Sequence, residues 1–273
     1  MRQAIVAGQF YPAGKNELER QVRKFLSEKK RENVKACIVP HAGYAFSGML
    51  AGKVISLIPD KKDFIILAVN HSGLGEKISF SLEDFETPLG KIKNNRALGE
   101  KILGKLKKEK LEAEINEKAH QYEHSVEVQL PFLQLSQKKF EIVPILLRDL
   151  SYDECKKIAS VLAEFVSDNI YIIVSGDFTH YGRSYGFVPF TENIKENLYK
   201  LDNEVIFEIL SLNSKLVYDK AKKTTICGIY GFTILTEVAK IKKWKGKSVG
   251  YYASGDVVNQ WDNVVGYGGI VFS

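Results

Sequence analysis

Five histidines, His41, His71, His120, His124 and His180, together with Cys227, carry most of the chemistry this sequence offers. Imidazole ligates metals and exchanges protons near neutral pH, so its placement matters. Two of these residues directly follow short apolar runs: Pro40-His41-Ala42-Gly43-Tyr44 comes after VKACIV and Asn70-His71-Ser72 after DFIILAV. A third run, NIYIIVS, leads into Gly176-Asp177-Phe178-Thr179-His180. If the runs are strands of an open α/β sheet, ligands bind beyond their carboxyl ends, where neighbouring loops converge. His41, His71, Asp177 and His180 are then expected in one cleft. Asp177 and His180, three residues apart, suit metal binding or acid/base work, although Asp177 suits the cap of a helical turn nearly as well. Cys227, in Thr224-Thr225-Ile226-Cys227-Gly228, precedes a helical pattern whose free backbone donors favour thiolate, a soft metal ligand. Burial as an inert thiol is the plainer alternative, and it is the reading of Cys37 and Cys155.

A second arrangement competes. His120-Gln121-Tyr122-Glu123-His124 has the H-x-x-E-H spacing of inverted zinc peptidases, which set two imidazoles and a glutamate base on one helical face. Pro131 limits the helix that follows, and no downstream acidic ligand stands out, so zinc peptidase activity through His120, Glu123 and His124 ranks below the strand-end site. Glu123 and His124 are retained as pocket residues, with Tyr44. The stretch GEKILGKL from Gly99 mimics a phosphate loop but has Leu106 where a magnesium-binding hydroxyl belongs, and it falls inside a helical pattern. No dinucleotide fingerprint, G-x-S-x-G elbow or zinc-finger pair occurs.

The elements that must hold these residues alternate. Strands are predicted at VKACIVP, DFIILAV, FEIVPILL, NIYIIVS, SVGYYAS and VVGYGGIVF. Helices are predicted from Asn16, whose spacing to Glu19 resembles a capping box, toward Lys30, and over Phe46 to Ile58, Ala97 to Lys108, Ser125 to Leu135, Tyr152 to Phe165, Thr191 to Leu210 and Gly231 to Ile241. Nearly continuous apolar strands suit burial on both faces. The expectation is an α/β fold, one domain over residues 1–273, with a mixed, mostly parallel sheet flanked by helices.

With 45% apolar residues, the 273-residue chain can bury a large core. Its 39 basic against 33 acidic side chains give a formal charge of +6, but the lysine runs mix with glutamates or end helices, so a nucleic-acid partner is not expected. Three widely spaced cysteines argue against a disulfide framework, and no apolar run nears the ~20 residues that span a bilayer. A cytoplasmic protein with no membrane partner is expected.

Six segments in order, GQFYP, PHAGYAFSG, NHS, EHSVEVQLPFL, VSGDFTHYG and TTICG, resemble the Memo family over nearly the whole chain. That resemblance implies a fold similar to class III extradiol ring-cleaving dioxygenases, whose iron is held by two histidines and a carboxylate, with a cysteine replacing the carboxylate. Residue by residue it implies metal ligation by His41, His71 and Cys227, with Asp177 and His180 lining the pocket and His180 as the acid/base group. Ser72 and Gln129 depart from histidines found in some relatives, and His120 lies outside the pattern. Iron or copper is the implied cofactor, with zinc compatible, and redox chemistry on a small molecule is the implied activity. The alternative is a module that binds a peptide or small ligand without turnover, as animal members are linked to phosphotyrosine-peptide binding and cell motility. Microbial members accompany AMMECR-type and radical SAM proteins, which are the implied partners.

Overall fold

A computed structural model describes residues 1–27 and 33–273. An irregular N-terminal segment leads into α1 (Lys15–Phe25), followed by β1 (Ala36–Val39), α2 (Tyr44–Ser56) and β2 (Asp63–Val69). Short elements come next: β3 (Ile78–Phe80), β4 (Phe85–Thr87), β5 (Gly90–Asn94), α3 (Arg96–Lys108), β6 (Ala113–Ile115), α4 (Glu117–Gln121) and α5 (Leu130–Ser136). Longer ones resume with β7 (Glu141–Leu147), α6 (Tyr152–Phe165), β8 (Ile170–Ser175), β9 (His180–Gly182), α7 (Ile194–Leu210), α8 (Ser214–Ala221) and α9 (Ile229–Lys242). The chain closes with β10 (Gly246–Ala253), α10 (Ser254–Val258) and β11 (Asn263–Phe272).

One mixed sheet runs in the order β10-β11-β1-β8-β2-β7-β3-β6. Its centre, β1-β8-β2-β7, is parallel, while β11 joins β1 and β3 joins β7 antiparallel. Alternation along each strand divides the core in two. Ile38, Ile65, Leu67, Val143, Ile172 and Val174 face α3, α6, α7, α8 and α9. Their neighbours Cys37, Val39, Phe64, Ile66, Ile142 and Ile173 face α1, α2 and α5. Helices on both faces leave no polar side of the sheet, which is why the strands read as unbroken apolar runs. Cys37 and Cys155 are buried in these layers, and burial pushes the Cys37 thiol up to about 12.

Three local expectations need correction. The capping box at Asn16 does not form: α1 starts behind Gly14, and Glu19 instead pairs with Arg23 at 2.8 Å. The helix also stops at Phe25, where Gly48 and Gly52 let α2 approach so closely that a Cβ on Gly52 would lie 2.4 Å from the Phe25 carbonyl oxygen. Of the span predicted toward Lys30, residues 28–30 lie outside the described residues. The helix expected over Ser125 to Leu135 is a 3₁₀ turn, Glu127–Gln129, followed by α5 with Pro131 in its first turn, the position a residue without an amide hydrogen tolerates.

Candidate metal centre

The adjacent parallel strands β1, β8 and β2 end at Val39, Ser175 and Val69, so their loops deliver His41, Asp177 and His71 to one edge of the sheet. Cys227 arrives from the turn before α9. Ligand atoms of His41, His71 and Cys227 lie within 4.8 Å of one another, with Cys227 Sγ 3.3 Å from His41 Nε2. Asp177 joins two of them. Its carboxylate accepts the His41 amide at 2.8 Å, and its own amide points at Cys227 Sγ at 3.2 Å.

Hydrogen bonds decide which ring nitrogens remain available. His41 Nδ1 lies 3.3 Å from Ser175 Oγ, whose hydroxyl donates to the Ser125 carbonyl and accepts from Gln129. The Ser175 proton is thus committed, His41 carries its hydrogen on Nδ1, and its Nε2 lone pair faces Cys227. His71 Nδ1 lies 3.0 Å from the Glu123 carboxylate, which leaves its Nε2 as the free lone pair. Carboxylate-backed imidazoles of this kind are the usual support of metal-ligating histidines. One nitrogen from each of two imidazoles and a sulfur therefore converge as a donor set that fits a transition metal.

His71, Glu123 and His124 also cluster closely enough to bind an ion. Glu123, however, is saturated: it takes the His71 amide at 2.7 Å, the Ser125 amide at 2.8 Å and the His71 ring, and it lies 3.3 Å from His124 Nδ1. Burial alone would raise this carboxyl, yet the His71 hydrogen bond and the two nearby imidazoles bring it down to about 2. It serves as an orienting group. His124 stacks on His71 with ring centroids 4.8 Å apart, and burial lowers it to about 4.

A cleft of about 610 Å³ opens over this edge, lined by His41, His71, His124, Asp177 and His180 with aromatic walls from Phe10, Tyr185 and Tyr267. His180 Nδ1 lies 3.0 and 3.1 Å from the carbonyls of Phe178 and Thr225. A carbonyl can only accept, so Nδ1 carries the hydrogen and Nε2 is left as the acceptor. Burial holds the His41 imidazole down at about 3, and burial raises the Asp177 carboxyl above its ordinary range.

The family model described as Memo-like protein matches residues 2–271. This chain belongs to that family. It is 36% identical to a MEMO1 family protein of Archaeoglobus fulgidus over 277 residues, covering 100% of this chain and 99% of the relative. It is also 36% identical to one of Aquifex aeolicus, covering 100% and 99%, and 37% identical to one of Pyrococcus furiosus, covering 99% and 98%. Among solved structures, an uncharacterized protein from Escherichia coli K12 shares the fold, with a TM-score of 0.60 over 88% of this chain and 100% of the other at 11% identity.

Within this Memo fold four sequence expectations change. Tyr44 is absent from the cleft: as the first residue of α2 it points inward, donates its hydroxyl to the Val128 carbonyl at 2.7 Å and packs on Phe132 and Tyr11. His120 is turned away from the site, with Nε2 2.9 Å from the Ser79 carbonyl, and α4 ends at Gln121, so His120 and His124 never share a helical face. The zinc-peptidase arrangement does not form. The Cys227 thiol is raised rather than lowered, by burial first and then by the Asp177 charge, and the Gly228 amide at the start of α9 goes to the Asp177 carbonyl at 3.4 Å. Asp177 caps no helix, since β9 follows it.

Some cleft residues carried no readable signal. Tyr185, whose ring meets His180 edge-on at 5.1 Å, sits in a turn just after the GDFTHYG segment, and that nearness is the one available hint. Ser254 opens α10, Gln260 lies between α10 and β11, and Asn263 is the first residue of β11, and none of the three carries a reactive type or spacing that marks a site. Phe10, in GQFYP, packs against His124 at 4.7 Å.

Proposed function

We propose that this Memo protein holds a transition metal through His41 Nε2, His71 Nε2 and Cys227 Sγ and performs redox chemistry on a small molecule bound in the cleft. The reading rests chiefly on one observation: ligand atoms of His41, His71 and Cys227 lie within 4.8 Å of one another, with His41 Nε2 3.3 Å from Cys227 Sγ, while the Nδ1 atoms of the two imidazoles face Ser175 and Glu123. Iron or copper suits two imidazoles and a thiolate, with zinc compatible, and the first two supply one-electron chemistry when bound. Around that set, the chain's own residues have distinct tasks. Glu123 orients His71, and Asp177 ties His41 to Cys227. His180 offers Nε2 as a proton acceptor at the cleft wall, while Phe10, Tyr185 and Tyr267 exclude water and hold the apolar part of a ligand.

Anaerobic purification followed by metal analysis tests the ligand set. Wild type should bind near-stoichiometric iron or copper, whereas Cys227→Ser and His41→Ala should lose most of it. Unchanged metal content in both variants overturns the assignment. Oxygen consumption by the metal-loaded protein with a reductant such as a catechol tests turnover. His180→Gln should keep the metal but lose the rate. A loaded wild type that consumes no oxygen with any reductant favours a ligand-binding module instead.

A further inference from the structure

We propose that Asp202 is a positioning residue that locks the Gly176–His180 segment, and with it the His180 imidazole, in place from α7. The carboxylate lies wholly inside the protein. One oxygen accepts the Thr179 hydroxyl at 2.5 Å and the Thr179 amide at 3.2 Å, and the other accepts the Tyr251 hydroxyl at 2.6 Å. Thr179 stands between Phe178, whose carbonyl holds His180 Nδ1, and His180 itself. On its far side the segment is pinned to β11, where Phe178 donates to the Gly266 carbonyl and Gly266 donates to the Thr179 carbonyl. Gly266 is also what lets the carboxylate in, since a Cβ there would lie 2.2 Å from Asp202 Oδ2 and 2.6 Å from the Tyr251 hydroxyl.

All of these contacts come from uncharged donors. Facing Asp202 are Thr179, Tyr251 from β10 and, through Tyr251, the ring of Tyr199 on α7, whose own hydroxyl donates to Asp256, the partner of Lys195. Burying a carboxylate without a cation is costly. Burial accordingly raises Asp202 to about 6, opposed by its bonds from Thr179 and Tyr251. A buried carboxylic acid that only braces the core would be replaced at lower cost by a neutral side chain; here its two oxygens fix a backbone amide beside the cleft's proton acceptor. Protonation exchanges an acceptor for a donor at one oxygen and weakens the grip on Thr179.

The inference rests on the reading of His180 only for its consequence, and its test uses metal-free full-length protein. Proton–nitrogen NMR spectra are recorded from pH 5 to 8 for wild type, Asp202→Asn and Tyr251→Phe. In wild type the Thr179 amide should shift with a midpoint near 6, and in Asp202→Asn that transition should vanish. His180, whose Nδ1 hydrogen is held by the Phe178 and Thr225 carbonyls in wild type, should become a mixture of tautomers in Asp202→Asn. Should that variant fail to fold, Tyr251→Phe decides, because loss of a bond to the charged form should move the Thr179 midpoint to higher pH. An unaltered Thr179 transition in either folded variant, or a His180 tautomer unchanged in Asp202→Asn, overturns the proposal. Because neither signal requires metal or turnover, failure of the redox reading leaves this result standing, and the reverse holds as well.

Discussion

Glu123 reaches the cleft only through other residues, yet it fixes how His71 points. Replacing its carboxylate with an amide keeps the shape but puts a donor against the His71 amide or ring. Glu123→Gln is expected to weaken metal affinity about 10- to 100-fold, the usual cost of losing such a supporting carboxylate. Competition with a chelator of known affinity measures it; an affinity within twofold of wild type would mean that His71 is oriented by something else. His120 has a different use. Burial keeps it neutral and lowers it to about 4 from an ordinary 6.5. The unfolded chain therefore takes up a proton that the folded chain refuses, and the stability this residue supplies is present above pH 6.5 and lost as the pH falls toward 4. The amount is on the order of 3 kcal/mol. Urea unfolding at pH 7.5 and 4.5 should show a smaller acid-induced loss in His120→Gln than in wild type. Equal losses would contradict it. At this scale the strand-end histidines were legible because rigid strands point to a common edge. Tyr44 was not, because one turn of helix decides whether a side chain meets solvent or core, and sequence carries no phase for a helix start. The Cys227 thiol was misread because burial, which sequence shows poorly, outweighs local amides.

Helix α9 must begin very close to the end of β8 to bring Cys227 to His41. Gly176 and Gly228 make that approach: a Cβ on Gly176 would lie 2.6 Å from the Gly228 Cα and 3.1 Å from the Phe232 ring. Backbone cannot yield as a flexible side chain does. Gly176→Ala should therefore cost about 1–3 kcal/mol and push the Cys227 turn away from His41. Metal affinity should fall with it, read by titration alongside chemical denaturation. A variant as stable and as metal-competent as wild type would show that the contact relaxes freely. The long strands were legible as unbroken apolar runs, which helices on both sheet faces impose, and the long helices by their period. The short strands β3 to β6 and β9 were not, because three to five residues paired at an edge carry no period to detect.

Across the whole molecule, the N-terminal segment is fastened by one buried pair. Arg2 and Glu127 are ion-paired out of solvent, and Glu127 also accepts the amides of Ile5 and Val6 and the Tyr11 hydroxyl. Glu127→Ala strands the Arg2 charge and should cost roughly 3–5 kcal/mol, with Phe10 loosened from the cleft wall. Guanidinium unfolding reads the first effect and hydrogen exchange over residues 2–11 the second; a cost below 1 kcal/mol would show that Arg2 finds water instead. The family-wide order of segments made the overall architecture legible, whereas this pairing, 125 residues apart, left no mark in sequence.

The cleft draws one wall from Phe10 and another from Val265 and Tyr267 on β11, and β1, which carries His41, has β11 as one of its two neighbours. A nascent chain emerging from the ribosome presents the first wall early but lacks the second until β11 has been synthesised. His41 then waits on a strand with one flank bare. Cofactor capture should thus follow release of the polypeptide, and ribosome-arrested chains truncated before Asn263 should retain no metal.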